Sequence, residues 1–183
     1  MPSPIAHMAA GAAIYRLRFG GGTSTRSDRV LLITCVGLAL VPDLDAAVGI
    51  LAGDIGRYHN NFAGSPAFGA LVALAAGALT WVVRRQLTWM TMSLVFISYQ
   101  THVFMDFLTI SRGTMLLWPF STERISPPVH LFYGFRWSHG LVDELHLVTL
   151  VTELVFVVSL AGIVFFVDRR RRRPAFESGP GAG

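Results

Sequence analysis

Lysine is missing from this chain: all fifteen basic residues are arginine. That bias carries no mechanism by itself. Charge of any kind is scarce, at 14% of residues, against about a quarter in a soluble globular domain. With 52% hydrophobic residues and a mean hydropathy of +0.53, the scarcity excludes an ordinary soluble domain and points to a membrane. Cysteine occurs once, as Cys35 within an apolar segment, which excludes an internal disulfide, and nothing around it marks a reactive thiolate. Also missing are CxxC pairs, a glycine-rich phosphate loop, a GxSxG elbow, an HExxH motif and internal repeats. The net charge of +4 and pI near 10 raise nucleic acid as a partner. Five arginines, however, form one run, Arg169 to Arg173, behind the last apolar segment. That placement suits a membrane-flanking anchor, and no nucleic acid is expected.

What is present is a series of apolar segments in 183 residues, a length that fits one domain. "PIAHMAAGAAIYRL" and "VLLITCVGLALV" are short. "PAFGALVALAAGALTWVV" and "LTWMTMSLVFISYQTHVFMDFL" approach the ~20 residues that cross a ~30 Å core. "LVTLVTELVFVVSLAGIVFFV" is the clearest span. Helices are expected throughout, because a lone segment in lipid must satisfy its own backbone. The fold class expected is therefore all-α: a polytopic membrane bundle of about five apolar helices, the first two short and able to form a hairpin. The amino terminus lacks the order of a signal peptide, since Arg16 and Arg18 follow the apolar residues, so residues 4–19 read as a retained helix. Eleven of the fifteen arginines lie between segments one and two, between three and four, and after five. A five-helix path puts all three places on one face, which the positive-inside rule makes cytoplasmic. The amino terminus is then outside and the carboxyl end inside. Residues 1–168 read as the membrane domain and 169–183 as a basic, disordered cytoplasmic tail.

The same path sorts the histidines, which did not enter its construction. His7, His59, His102, His130, His139 and His146 all map to the outer side, together with Asp43, Asp45, Asp54 and Asp106. "HVFMD" sets His102 and Asp106 at i, i+4 on one helix face, and "HGLVD" does so for His139 and Asp143. Two ligands at that spacing can serve one metal ion. Imidazole with carboxylate suits a divalent metal such as zinc, with manganese or iron as alternatives, better than calcium. Asp43 and Asp45, in "VPDLD", diverge on a regular helix. For both to face one site, the chain must leave helical geometry near Pro42. Buried carboxylates are costly in hydrocarbon and mark working sites. Each feature also has a plain reading: His7 bonded to a carbonyl, His102 and Asp106 paired without metal, His130 as a loop residue, His146 and Glu153 as packing contacts, Asp28 and Asp54 as helix caps or solvated groups. The aromatics of "LLWPF" and "HLFYGFRW" suit an interfacial belt. Arg112, Arg124 and Arg136, in the same outer region, can grip a phosphate or carboxylate or face water.

In order, "IAHMAAG", "VPDLD", a histidine-led loop, "HVFMDFLT" and "GTMLLWPF" resemble the bacterial membrane-bound metal-dependent hydrolase family over roughly residues 4–146. The resemblance implies an inner-membrane, multi-pass enzyme with metal roles for His7, Asp43, Asp45, His59, His102 and Asp106. One loop departs from it. Where the family pattern is like "HRxxTHS", this chain has "HNNFAGS", with Asn60, Ala63 and Gly64 at the arginine, threonine and second histidine. His130 or His139 is then a candidate replacement, or the metal site is reduced. A looser likeness is to zinc-dependent phospholipases C, in which "HGLVD" would fill the place of a later HxxxE helix. The expected function is metal-assisted hydrolysis of a phosphoester in a lipid or lipid-like substrate at the outer face. Asp43 or Asp45 is expected to act as proton acceptor, membrane lipids are the expected partners, and the oligomeric state is open. Two rivals are a transport or proton-relay protein, whose acidic groups should be spread through the membrane depth, and a degenerate relative that keeps a structural metal.

Overall fold

The computed structural model describes residues 2–20, 25–53, 59, 61–84, 89–134 and 144–172. Six α-helices follow in order: α1 (Pro4–Phe19), α2 (Arg26–Leu38), α3 (Leu44–Leu51), α4 (Pro66–Arg84), α5 (Trp89–Phe107) and α6 (Leu145–Arg172). Short 3-10 turns occupy Val41–Asp43 and Phe62–Gly64. Among the described residues there are no strands, only two isolated bridges in the loop after α5.

Local chemistry sets the helix ends. Ser3 caps α1, with Pro4 at its first position, and the helix stops at Gly20, whose φ of +74° suits glycine. Thr25 and Asp28 form a capping box at the start of α2, the Asp28 N–H donating to Thr25 Oγ1 at 3.1 Å and the Thr25 N–H to Asp28 Oδ2 at 3.1 Å. Ser65 Oγ accepts from the Phe68 N–H at 3.1 Å ahead of α4. At Val41–Asp43 the chain leaves α geometry, since Pro42 has no N–H for the carbonyl four residues back.

The helix α1 sits at the centre, packed against α2, α5 and α6. Besides His7 and Tyr15, its buried residues are small, namely Ala6, Ala10, Gly11 and Ala13, which lets backbones approach as membrane helices commonly do. Gly11 is the tightest point. A Cβ there would lie 2.6 Å from the Cys35 carbonyl oxygen and 2.8 Å from Val36 Cα, both backbone atoms that cannot swing aside. Gly11→Ala is expected to lower stability by about 1–3 kcal/mol, read as a lower thermal midpoint in detergent. Gly162 in α6, with open space around it, is expected to take alanine without loss. Equal behaviour of the two variants would refute this close-packing account.

Helix directions follow from the pairings. Gly11 meets Cys35, and Tyr15 packs with Leu31, Leu32 and Leu94, so α1 runs antiparallel to α2 and α5. Ser3 meets Glu153 and Arg16 meets Asp168, so α1 and α6 run parallel. Among the described residues two helices, Pro66–Val83 of α4 and Leu145–Arg171 of α6, are long and apolar enough to cross a membrane, and α2 with α3, bent by 46°, make a third crossing if they count as one. The apolar windows of α4 and α6 are only 17% and 6% buried, so their side chains face outward in a way that suits lipid rather than water. The helix α5 spans about 28 Å at 19 residues, but its second half carries Ser98, Gln100, His102 and Asp106, which cost it the apolar composition of a simple span.

Two details differ from the sequence reading. The tail does not begin at residue 169: α6 continues to Arg172, because cations at a helix C-terminus are favoured by the helix dipole. The aromatics after α5 divide. Phe120 is 96% exposed, as an interfacial residue would be, whereas Phe132 is buried against Ala6, Ala10 and Met105.

Candidate metal centre

Four separate parts of the chain meet at one end of the bundle. The second turn of α1 brings His7. The 3-10 turn at Pro42 and the start of α3 bring Asp43 and Asp45. The following loop brings His59. The last two turns of α5 bring His102 and Asp106. The break at Pro42 matters twice. It aims the "PDLD" carboxylates toward α5, and it frees a carbonyl. The Asp43 N–H bonds to Leu40 O at 3.0 Å, and the Ala39 carbonyl accepts from His102 Nδ1 at 2.7 Å.

That bond fixes which ring nitrogen faces the cluster. A carbonyl only accepts, so His102 carries a proton on Nδ1 and turns Nε2 toward the carboxylates. His59 is set the same way by a carboxylate, its Nδ1 lying 2.8 Å from Asp45 Oδ1. Carbonyls and carboxylates commonly hold the far nitrogen of metal-binding histidines in this manner. The rings of His7 and His102 stack, with centroids 3.7 Å apart and planes 15° apart, an arrangement suited to neutral imidazoles rather than two cations.

Asp106 lies among all three rings. Its Oδ1 is 3.7 Å from His7 Nε2, and its Oδ2 is 3.4 Å from His102 Nε2 and 3.8 Å from His59 Nε2. Asp43 Oδ1 is 3.5 Å from His102 Nε2. These contacts make poor hydrogen bonds. His7 Nδ1 and Nε2, both oxygens of Asp43, His59 Nε2, His102 Nε2 and Asp106 Oδ1 are buried without a hydrogen-bond partner among the described residues. So many orphaned polar atoms in one place are expensive. A shared cation relieves the cost, because four donors about 2.0–2.1 Å from one ion sit roughly 3.4 Å from each other. Two groups have ligand atoms mutually within 4.8 Å: His7, Asp43 and His102, and Asp43, His59 and Asp106. His7, His102 and Asp106 are almost wholly buried, while Asp43, Asp45 and His59 keep 14%, 16% and 15% of their side-chain surface. The accessible side of the cluster is therefore the "PDLD" and His59 side.

The arginines expected nearby flank that side. Arg112 Nη2 donates to the His59 carbonyl at 2.5 Å, and Arg124 donates to Gly113 O at 3.1 Å and Asn61 Oδ1 at 2.5 Å. Burial, helped by the neighbouring Arg112 cation, pulls the Arg124 pKa down. The loop that carries both is tied by bridges between Thr109 and Phe132 and between Thr114 and Ile125. Asp45, expected as a ligand, stands behind His59 and belongs to neither ligand group. His139, Asp143 and Arg136 lie outside the described residues, as does Asp54. His130 is exposed on the loop surface. Ala63 and Gly64, the small residues of "HNNFAGS", are buried in the turn under Tyr99, whose hydroxyl donates to the Ala63 carbonyl at 2.7 Å.

Sequence reasoning did not find what holds α1. The Ser3 N–H donates to Glu153 Oε1 at 2.5 Å, and the Ser3 hydroxyl donates to Glu153 Oε2. Ser3 starts α1 one turn before His7, so Glu153 fixes the height at which His7 enters the cluster. The available signal was a lone carboxylate in an apolar helix. Its partner, 150 residues away, left no pattern.

Comparison with curated proteins and with solved structures gives no match. A family model does match, that of the YdjM inner membrane protein, over residues 1–175. With nearly the whole chain covered and outward-facing apolar helices, this multi-pass protein of the bacterial cytoplasmic membrane belongs to the YdjM inner membrane protein family.

Proposed function

We propose that this protein is a metal-dependent hydrolase that cleaves a phosphoester of a lipid or lipid-like substrate at the outer face of the inner membrane. The observation that carries the reading is the convergence of three imidazoles and two carboxylates whose buried ligand atoms have no other partner among the described residues. Zinc fits the mixed nitrogen and oxygen donors, with manganese or iron as alternatives. A divalent cation held there would supply Lewis acidity and lower the pKa of bound water toward about 7.

The chain's own groups supply the rest. His7, Asp43, His59, His102 and Asp106 would hold the metal. Asp45 orients His59 and, being partly accessible, is placed to take up a proton. Arg112 is exposed and has N–H donors beyond the one that holds the His59 carbonyl, so with Arg124 it can meet phosphate oxygens beside the cluster. Leu44, Val48 and Leu51 of α3 and Leu117 and Phe120 of the loop are exposed near this end, a collar suited to acyl chains.

The topology belongs to the same proposal. The helix directions fit five crossings or partial crossings with the amino terminus outside, α2 and α3 forming the bent arm. At the end of the bundle away from the cluster, Arg16 pairs with Asp168 at 3.2 Å and Arg171 donates to Leu17 O at 2.5 Å, which gathers arginine at one end as a cytoplasmic face requires. Between the two ends, helices α1, α2, α4 and α5 carry no carboxylate or imidazole, and Glu153 of α6, the exception by sequence position, is paired with Ser3 at the cluster end of α1. A proton relay needs such groups at mid-depth, so the distribution favours a surface site.

The test is metal content and turnover of the detergent-purified protein. Elemental mass spectrometry is expected to find bound zinc, manganese or iron, and model phosphodiesters are expected to be hydrolysed, with activity lost to a chelator and restored by metal. Folded protein that neither contains nor takes up metal would refute the reading.

A further inference from the structure

The two ligand groups share one residue, Asp43, and otherwise use different side chains. His7 and His102 belong to the first, His59 and Asp106 to the second. Both oxygens of Asp43 are buried and unpartnered among the described residues, where a carboxylate serving one ion needs to offer only one. We propose that the cluster is built for two divalent cations, one held by His7, His102 and Asp43, the other by His59, Asp106 and Asp43, with Asp43 as the carboxylate between them. This deepens the hydrolase proposal and rests on the cluster being a metal centre.

Charge argues the same way. Asp43, Asp45 and Asp106 together carry three negative charges when ionised, and imidazoles that ligate a metal are neutral and add none. One dication leaves the largely buried group net negative. Two leave it net positive by one charge, which an anionic phosphodiester would balance. A net negative site would repel that substrate, and uncompensated buried charge is costly either way. The accessible edge at Asp43, Asp45 and His59 lies on the second group, so substrate would reach that ion first while the His7 and His102 group stays enclosed.

The experiment uses the full chain in detergent, stripped of metal and titrated with manganese. Calorimetry and elemental analysis count the ions, and low-temperature electron paramagnetic resonance reports whether they are coupled. Wild type is expected to bind two ions per chain and give an exchange-coupled spectrum. His7→Ala and His59→Ala are each expected to keep one ion and show the six-line spectrum of isolated manganese. Asp43→Asn is expected to lose the coupling. Circular dichroism and size-exclusion profiles establish that each variant is folded, and Asp43→Asn preserves side-chain shape should either alanine variant fail. One ion per chain in wild type, removed completely by either histidine variant, overturns the pair while leaving a single-metal hydrolase intact. No ion at all overturns both proposals.

Discussion

Asp106→Asn is expected to release the ion held with His59 and Asp43 and, on the proposed hydrolase reading, to cut phosphodiester hydrolysis by about a thousandfold, or ~4 kcal/mol of transition-state stabilisation. Asp106 is the one side chain that faces all three imidazoles, with its two oxygens 3.4–3.8 Å from the Nε2 atoms of His7, His59 and His102. Each of those nitrogens is buried without a hydrogen bond among the described residues. Asparagine keeps the shape and removes the charge, so the helix should persist while its ability to neutralise a cation is lost. The amide would also turn a donor toward the site in place of a ligand oxygen. Circular dichroism should be unchanged, metal content should fall from two ions per chain to one, and turnover should fall with it. Asp106→Glu keeps the charge but moves it by one methylene, and is expected to recover part of the metal. Full metal content and full activity in Asp106→Asn would remove Asp106 from the centre and leave the orphaned imidazoles unexplained.

Much of the site is legible in the sequence where the geometry is local. "HVFMD" sets two groups one turn apart on α5, and the 3.4 Å approach of His102 Nε2 to Asp106 Oδ2 follows from that spacing. "VPDLD" marks a break because proline removes a donor, and the chain turns at Val41–Asp43. What the sequence cannot display is contact between distant segments. The Ala39 carbonyl that orients the His102 ring is 63 residues away, and the His59 carbonyl held by Arg112 is 53 residues away. Neither uses a distinctive side chain, since any residue offers a carbonyl. Asp45 shows a subtler limit. Its position in the motif suggests a ligand, and the contact of its Oδ1 with His59 Nδ1 at 2.8 Å, 14 residues away, is one that the motif does not display. The arginines are a similar case. Arg112 and Arg124 brace the His59 loop through His59 O and Asn61, a structural role that their positions in the sequence do not announce.

The small residues of α1 show why fold and site cannot be separated. Ala6, Ala10 and Gly11 let α2, α5 and α6 approach. The same closeness stacks His7 on His102. The order of residues along α1 carries little warning of this, because a helix packed against three others in an apolar surrounding has no water-facing stripe for polar residues to mark.

Glu153→Ala is expected to lower stability by about 1–3 kcal/mol and to weaken metal binding by roughly tenfold to a hundredfold, the range seen when groups behind a metal ligand are removed. Glu153 is 5% exposed and accepts from both the N–H and the hydroxyl of Ser3. Without it two buried donors lose their acceptor, and the first turn of α1 is no longer tied to α6. The Ser3 carbonyl accepts from the N–H groups of Ala6 at 3.1 Å and His7 at 3.4 Å, so any shift of Ser3 is passed directly to His7. Arg16→Ala provides the contrast. It breaks the 3.2 Å pair with Asp168 at the opposite end of the same two helices, which should lower the thermal midpoint and leave metal affinity unchanged. If both variants reduce stability and neither changes metal affinity, Glu153 merely clamps two helices. If Glu153→Ala alone releases metal, the clamp is what places His7 in the cluster.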